Sequence, residues 1–503
     1  MERSSGILLP IFSLPSRGGI GSLGAEARAF ADFLHAAGQT WWQVLPVGPT
    51  GAGDSPYSGV STHAGNPLLL DLSALERDGL LTPQELAEAD LPAGRVDYAA
   101  VAAAKDAALR RAFARGWGRE AAAAAEFART HAWAEDYALF MAARRHFGGL
   151  PWLEWPDEGL RRRDPAALER WRTSLAEEVR YHLFVQLLFD GQWQALRDYV
   201  RSRGVRLLGD LPIYVSLDSA DVWASPRDFQ LDETGHPTEV AGVPPDYFSA
   251  QGQLWGNPLY DWDAMRRDGF GWWIRRVDSA ARRFDAVRID HFRGLESYWA
   301  VPADAATAQI GRWRKGPGME LLGVLTSWFS GLTYVAEDLG LLTPAVGELR
   351  RAAGMPGMKV LEFAFSGPDN AYLPHNCVPG CVLYTGTHDN DTAVGWYAHA
   401  DAAQRAFAAR YLGVTGAEET RLALLRAGQG SVAELFIAQM QDYLGLGSEA
   451  RINVPGVAGG NWCWRLEADA LEKRLTPALA AQVRELTVTY GRCAPAPEDK
   501  TFT

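Results

Sequence analysis

Ionisable residues of this 503-residue chain gather at the ends of a few short apolar stretches. Arg288, Asp290 and His291 stand in FDAVRIDHF, Glu337 and Asp338 in LTYVAEDLG, and His388 and Asp389 in CVLYTGTHD. Asp210 lies in VRLLGDLPIYV and Asn453 in RINVPG. Arg288 and Asp290 are two apart, so on a strand they share a face. A guanidinium beside a carboxylate favours its charged form, and a permanently ionised carboxylate is what a nucleophile at an anomeric carbon requires. Glu337 has no adjacent Arg or Lys, so burial would raise its pKa and let it carry a proton. Two carboxyl groups in different protonation states describe retaining glycoside chemistry, in which one attacks and the other protonates the leaving oxygen. Asp389 would then be free to hold sugar hydroxyls. His291 and His388, neutral above about pH 6.5, suit hydroxyl recognition. Each residue taken singly reads as a helix N-cap or a surface ion pair; the recurrence of ionisable groups at strand ends is the signal. Metal chemistry on His63, His291 and His388 is the competing scheme. It lacks the H-x-H or H-E-x-x-H spacing that such sites show, so no metal is expected.

The elements that must position these groups are eight apolar segments rich in β-branched and aromatic residues: 6–15, 41–49, 205–215, 284–292, 332–340, 358–365, 381–389 and 451–456. Near-continuous apolarity marks strands covered on both faces. Helical patterns such as AEARAFADFLHAAG, GWWIRRVDSAARRF and VGELRRAAG lie between them. Strand alternating with helix eight times predicts an α/β fold, the (β/α)8 TIM barrel, whose chemistry sits at the C-terminal ends of the strands. A doubly wound open sheet is the alternative, and no G-x-G-x-x-G follows the first strand to favour it. Residues 50–204 read as a helical insertion after strand 2. Residues 216–283 read as an insertion after strand 3 that carries the Pro/Gly/aromatic segment AGVPPDYFSAQGQLWGNPLYDW, a structured loop suited to a lid over the mouth.

Composition narrows the class further. With 49 Lys+Arg against 61 Asp+Glu and a formal charge of −12, no basic face is expected for nucleic acid. No apolar run reaches the roughly 18 residues of a membrane span, and the N-terminus lacks a signal-peptide pattern. The four cysteines are too few and too irregular for a disulfide framework, so a reduced, cytoplasmic setting is expected. Among 19 Trp, Trp255 (flanked by Gln253 and Asn257) and Tyr57 in DSPYSG lie outside core patterns and would stack on the apolar faces of pyranose rings.

At DSPYSGVSTHAGNPLLLDL, GDLPIYV, AVRIDHFRGLESYW, AEDLG, KVLEFAF, YTGTHDNDT and INVPG…NWCWRLE, the chain resembles the 4-α-glucanotransferases (amylomaltases, disproportionating enzymes), relatives of the α-amylase superfamily. The resemblance runs in order along the full length. It implies a single catalytic barrel with inserted subdomains and no C-terminal β-domain, working without a cofactor on an α-1,4-glucan donor with glucose or a maltodextrin as acceptor. It further implies Asp290 as nucleophile, Glu337 as general acid/base and Asp389 as transition-state stabiliser. Arg288, Asp210, His291, His388 and Asn453 would line the donor site, and Tyr57, Asp246, Tyr247, Gln253, Trp255 and Phe363 would touch glucan, with residues 242–257 as the lid loop. Two positions depart from the pattern. His63 stands where relatives often carry an apolar residue, so acceptor contacts would differ. Ala52 replaces a tyrosine that in some relatives stacks on a remote second glucan site, leaving Tyr98 as its other half. Three other functions keep some of these features: an amylase-type hydrolase, a non-catalytic glucan-binding protein and a metal-dependent barrel hydrolase.

Overall fold

The computed structural model describes residues 2–245, 250–340 and 342–493. Eight strands form one parallel sheet: β1 (Ser4–Leu8), β2 (Trp41–Gln43), β3 (Arg206–Leu211), β4 (Ala286–Ile289), β5 (Thr333–Ala336), β6 (Gly357–Val360), β7 (Cys381–Tyr384) and β8 (Leu435–Gln439). The order β6-β7-β8-β1-β2-β3-β4-β5 is that of a barrel whose written ends are β5 and β6. Those ends meet where Ala336 N–H donates to Pro356 O at 2.9 Å. The Asp338 carboxylate strengthens this seam: Oδ1 accepts Met358 N–H at 2.6 Å and Oδ2 lies 3.0 Å from Arg350 Nε. Gly357 is required there, because a Cβ on it would stand 2.3 Å from Asp338 Oδ2. Asp338 therefore closes the barrel while its neighbour Glu337 faces the mouth.

Seven of the eight sequence segments coincide with a strand, five of them containing it whole, while β1 begins two residues and β6 one residue before its segment. The eighth does not. Residues 451–456 are loop, and the closing strand is Leu435–Gln439, paired with β1 and β7. Asn453 belongs to that loop, whose Pro455 has no N–H to give a ladder.

Between β2 and β3 the chain runs through a series of helices, the longest Tyr98–Thr130 and Ala176–Ser202. Asp97 caps the first by accepting Ala100 N–H at 3.0 Å. Its buried residues Val101, Lys105, Ala108, Ala112 and Phe113 keep the i, i+3, i+4 spacing of one helical face. That face meets Ala176–Ser202 through Phe113, whose ring lies 5.6 Å from Phe184 and 5.7 Å from Tyr181. Ala176–Ser202 also packs on the helix Ala25–Ala36 and on β3, filling the barrel's helix layer after β2. A second, antiparallel sheet stands at the mouth, ordered Gln253–Pro258, Glu239–Val243, Ser297–Pro302, Arg312–Lys315. It joins the connection after β3 to the connection after β4. Beyond β8 the described chain contains helices and loops only, including Pro477–Thr489 against Ala25–Ala36. Among the described residues no helix is long and apolar enough to cross a membrane.

Candidate active site

Register brings the charged residues together. Asp210 on β3 pairs with Arg288 on β4, and Ile289 pairs with Ala336 on β5. One residue further on, Asp290 and Glu337 leave neighbouring strands at matching heights, with strands spaced about 4.8 Å apart. Arg288 is the hub. Its Nη1 donates to Asp210 Oδ1 at 2.8 Å and Oδ2 at 2.6 Å, and its Nη2 lies 2.7 Å from Asp290 Oδ1. Burial works against the guanidinium charge, but Asp210 and Asp290 outweigh it and raise its pKa well above the usual value. Burial pushes Asp210 upward too, against the pull of Arg288. A planar fork that engages two carboxylates on two strands is a task for Arg, which Lys geometry would not meet.

Glu337 is partly buried and accepts two backbone N–H groups, from His291 at 2.8 Å on Oε2 and from Leu339 at 3.1 Å on Oε1. Burial raises its pKa to about 7; Arg288 opposes the rise and the Asp290 charge adds to it. The left-handed backbone of His291, φ 49°, turns its N–H onto Glu337 and stores strain of about 1–3 kcal/mol. The His291 imidazole is pulled down to about 4, chiefly by burial, and is neutral near pH 7.

Across the mouth, Asn453 Nδ2 donates to Asp389 Oδ1 at 2.6 Å, and Arg451 holds the Asp389 carbonyl at 2.6 Å. The Tyr57 hydroxyl donates to Asp210 Oδ2 at 2.7 Å and accepts from His388 Nδ1 at 3.3 Å; its ring stacks on His388 at 4.9 Å. The Trp255 indole stands edge-on to His291 at 4.7 Å, and its Nε1 donates to Gln253 Oε1 at 3.2 Å. Phe363, 40% exposed, follows β6 beside Tyr372. Asp246 and Tyr247 lie outside the described residues.

The structure adds residues that the sequence reading passed over. Trp462 closes on both Tyr57 (5.7 Å) and His388 (5.9 Å). Glu362 is buried and accepts Asp391 N–H; burial, then Asp442 and Asp391, push its pKa well up. Gln439 of β8 bonds the Asp391 carbonyl at 2.8 Å. A glutamate inside the apolar run KVLEFAF was the available signal. His63 is not at the mouth: its Nδ1 lies 2.8 Å from Ser279 Oγ and its ring stacks on Trp133. Tyr98 is buried, its hydroxyl donating to Trp462 O at 2.8 Å, so it has no free face for a glucan. No group of three His, Cys, Asp or Glu among the described residues is placed to hold a metal ion.

A parallel eight-stranded barrel with carboxyl groups and a buried arginine at its C-terminal rim defines the broad class: the barrel enzymes. A family model described as 4-alpha-glucanotransferase matches residues 9–471, and the chain belongs to that family. A 4-alpha-glucanotransferase of Thermus thermophilus is 50% identical over 506 residues, covering 98% of this chain and 99% of the relative. A chloroplastic/amyloplastic 4-alpha-glucanotransferase of Solanum tuberosum is 43% identical, covering 98% and 87%. The amylomaltase of Streptococcus agalactiae, solved in complex with acarbose, aligns with a TM-score of 0.94 at 37% identity, covering 98% of this chain and all of that one. Glucan transfer is thus the activity, and the amylase-type hydrolase alternative is set aside.

Proposed function

We propose that the chain disproportionates maltodextrins by a double displacement in which Asp290 is the nucleophile, Glu337 the acid and base, and Asp389 the group that holds the sugar at the transition state. The observation that carries this reading is the raised pKa of Glu337, about 7, one strand away from an Asp290 ion-paired to Arg288. That pair supplies a proton and a negative oxygen to one linkage at neutral pH. Arg288 occupies Oδ1 of Asp290, which leaves Oδ2 for the anomeric carbon. As that bond forms, the bond from the anomeric carbon to the 4-oxygen of the leaving glucan breaks, and its electron pair takes the Glu337 proton. The ionised Glu337 then accepts the proton of an acceptor 4-hydroxyl, whose oxygen attacks the same carbon and releases Asp290. Two inversions retain the α configuration.

Transfer outruns hydrolysis when the acceptor is positioned and water is kept out; the lid role falls to residues 242–257, with Trp255 over His291. Arg288, Asp210, His291, His388, Asn453, Tyr57, Gln253 and Phe363 would line the glucan path. Donor and acceptor are short α-1,4-glucans of starch or glycogen metabolism, in a cytoplasm that keeps the four cysteines, free among the described residues, reduced. Incubation with maltotriose tests the reading. Transfer yields glucose and a ladder of longer chains with the number of reducing ends unchanged; a rising number of reducing ends would overturn it.

A further inference from the structure

On the flank of the barrel, where it meets the long helices, a cleft of about 420 Å³ opens, within the ~300–1,000 Å³ range of small-molecule sites. His131, Trp133 and Tyr137, around the junction of Tyr98–Thr130 with Ala134–His146, form one wall. The helix Gly271–Arg283 forms the other with Trp272 and Asp278. The lining shares no residue with the rim site. Trp328 also lines the cleft and is 67% exposed. Its indole stands in water at the edge of the concavity, open to a sugar ring that enters the cleft.

The charges select the ligand. Three carboxylates line the cleft, Asp136, Asp221 and Asp278, against one guanidinium, Arg275, so the acidic groups predominate and a phosphate or nucleotide would meet net repulsion. Asp136 is held by Arg163 at 2.8 Å, Asp278 by Arg282 at 2.8 Å, and Asp221 by the Thr62 N–H and hydroxyl at 2.8 and 3.0 Å. His63 in the wall is drawn down to about 3, first by burial and then by Arg283, Arg276 and Arg275, and is uncharged. What remains is a set of indole rings interleaved with hydrogen-bond acceptors and donors, suited to a neutral molecule with apolar C–H faces and many hydroxyls.

We propose that this flank cleft is a second carbohydrate site, which holds a segment of a long α-1,4-glucan away from the reacting linkage, with Trp328 and Trp133 as its stacking platforms. The proposal rests on the chain's action on α-1,4-glucans. Holding one part of a polymer raises the effective concentration of the rest at the mouth; maltotriose, too short to reach both sites, gains nothing.

The test is native electrophoresis of the full chain through gels with and without soluble starch, alongside maltotriose turnover, for wild type, Trp328→Ala and Trp133→Ala. Trp328→Ala is expected to weaken starch retardation about tenfold, equivalent to about 1.4 kcal/mol, and to raise KM for amylose. Its kcat/KM for maltotriose and its thermal midpoint are expected to match wild type. Trp133→Ala should act in the same direction. Wild-type mobility unaffected by starch, unchanged retardation in Trp328→Ala, or maltotriose turnover falling in step with retardation would each overturn the proposal. If wild type makes no maltotriose ladder, the rim-site reading fails, while starch retardation still reports on the cleft.

Discussion

Replacing Glu337 by Gln should make the protein more stable as pH rises, while destroying its activity. A carboxyl whose folded pKa lies above its unfolded value binds its proton more tightly when folded, so its ionisation opposes folding. For Glu337 the two values are about 7 and 4.5. Below pH 4.5 both states are protonated and there is no penalty; the penalty grows between 4.5 and 7 and is constant above. At about 1.4 kcal/mol per pH unit the full penalty is about 3 kcal/mol, an upper figure because water in the mouth screens a partly exposed group. Gln escapes it. Gln also offers one acceptor to two donors, the N–H groups of His291 and Leu339, and this costs about 1–3 kcal/mol at every pH. The decisive quantity is therefore the change with pH. Urea unfolding of both proteins at about pH 5 and pH 8 should show the variant gaining about 2 kcal/mol on wild type between the two, since part of the penalty is already present at pH 5. Maltotriose turnover by the variant should drop about 10²–10⁴-fold, and wild-type kcat/KM should fall along an alkaline limb near pH 7. A stability difference that is the same at both pH values would refute the protonated, desolvated Glu337 on which the mechanism stands.

Three further outcomes follow from the hydrogen bonds at the mouth and the packing of the seam. Tyr57→Phe removes the 2.7 Å donor to buried Asp210 and should lower maltotriose kcat/KM by about 1–3 kcal/mol of transition-state energy, with the ring stack on His388 kept; steady-state kinetics at fixed pH checks it. Asn453→Ala frees Asp389 from its 2.6 Å donor, and kcat should fall about tenfold or more, in line with about 1.5–3 kcal/mol for a bond to a charged group, while the thermal midpoint stays close to wild type. Gly357→Ala puts a methyl group onto the Asp338 carboxylate at 2.3 Å and should destabilise the barrel seam by about 1–3 kcal/mol, read by denaturant unfolding.

Much of this architecture was legible because buried parallel strands leave an unmistakable trace, an apolar run ending in polar residues. Asp210, Arg288, Asp290, Glu337, His388 and Asp389 all lie at such ends. β8 escaped because LFIAQ is five residues long, contains Ala and Gln, and runs straight into the helix Met440–Leu444, with no Gly or Pro to punctuate it. RINVPG took its place, being apolar and ending at a turn. Asn453 nevertheless reaches the site, because its loop is tied to the end of β7 by Asn453 N–H to His388 O at 3.2 Å. Asp338 and Glu337 are adjacent and chemically alike; only the closure of the sheet decides which of them faces a substrate. The buried Glu362 stood out as a glutamate in KVLEFAF, but its surroundings, Asp391 and Asp442, are distant in sequence and could not be read from it.

The small sheet at the mouth has a mechanical consequence. The chain leaving Asp290 enters Ser297–Pro302 within a few residues; that strand is laddered to Glu239–Val243, which is laddered in turn to the strand bearing Trp255. Trp255 then rests back on His291, the residue after Asp290. The circuit is closed, so under the proposed mechanism a sugar ring that displaced the indole would also shift the backbone leading from Asp290. Under that mechanism, gripping the substrate and aiming the nucleophile would be a single movement of one ribbon.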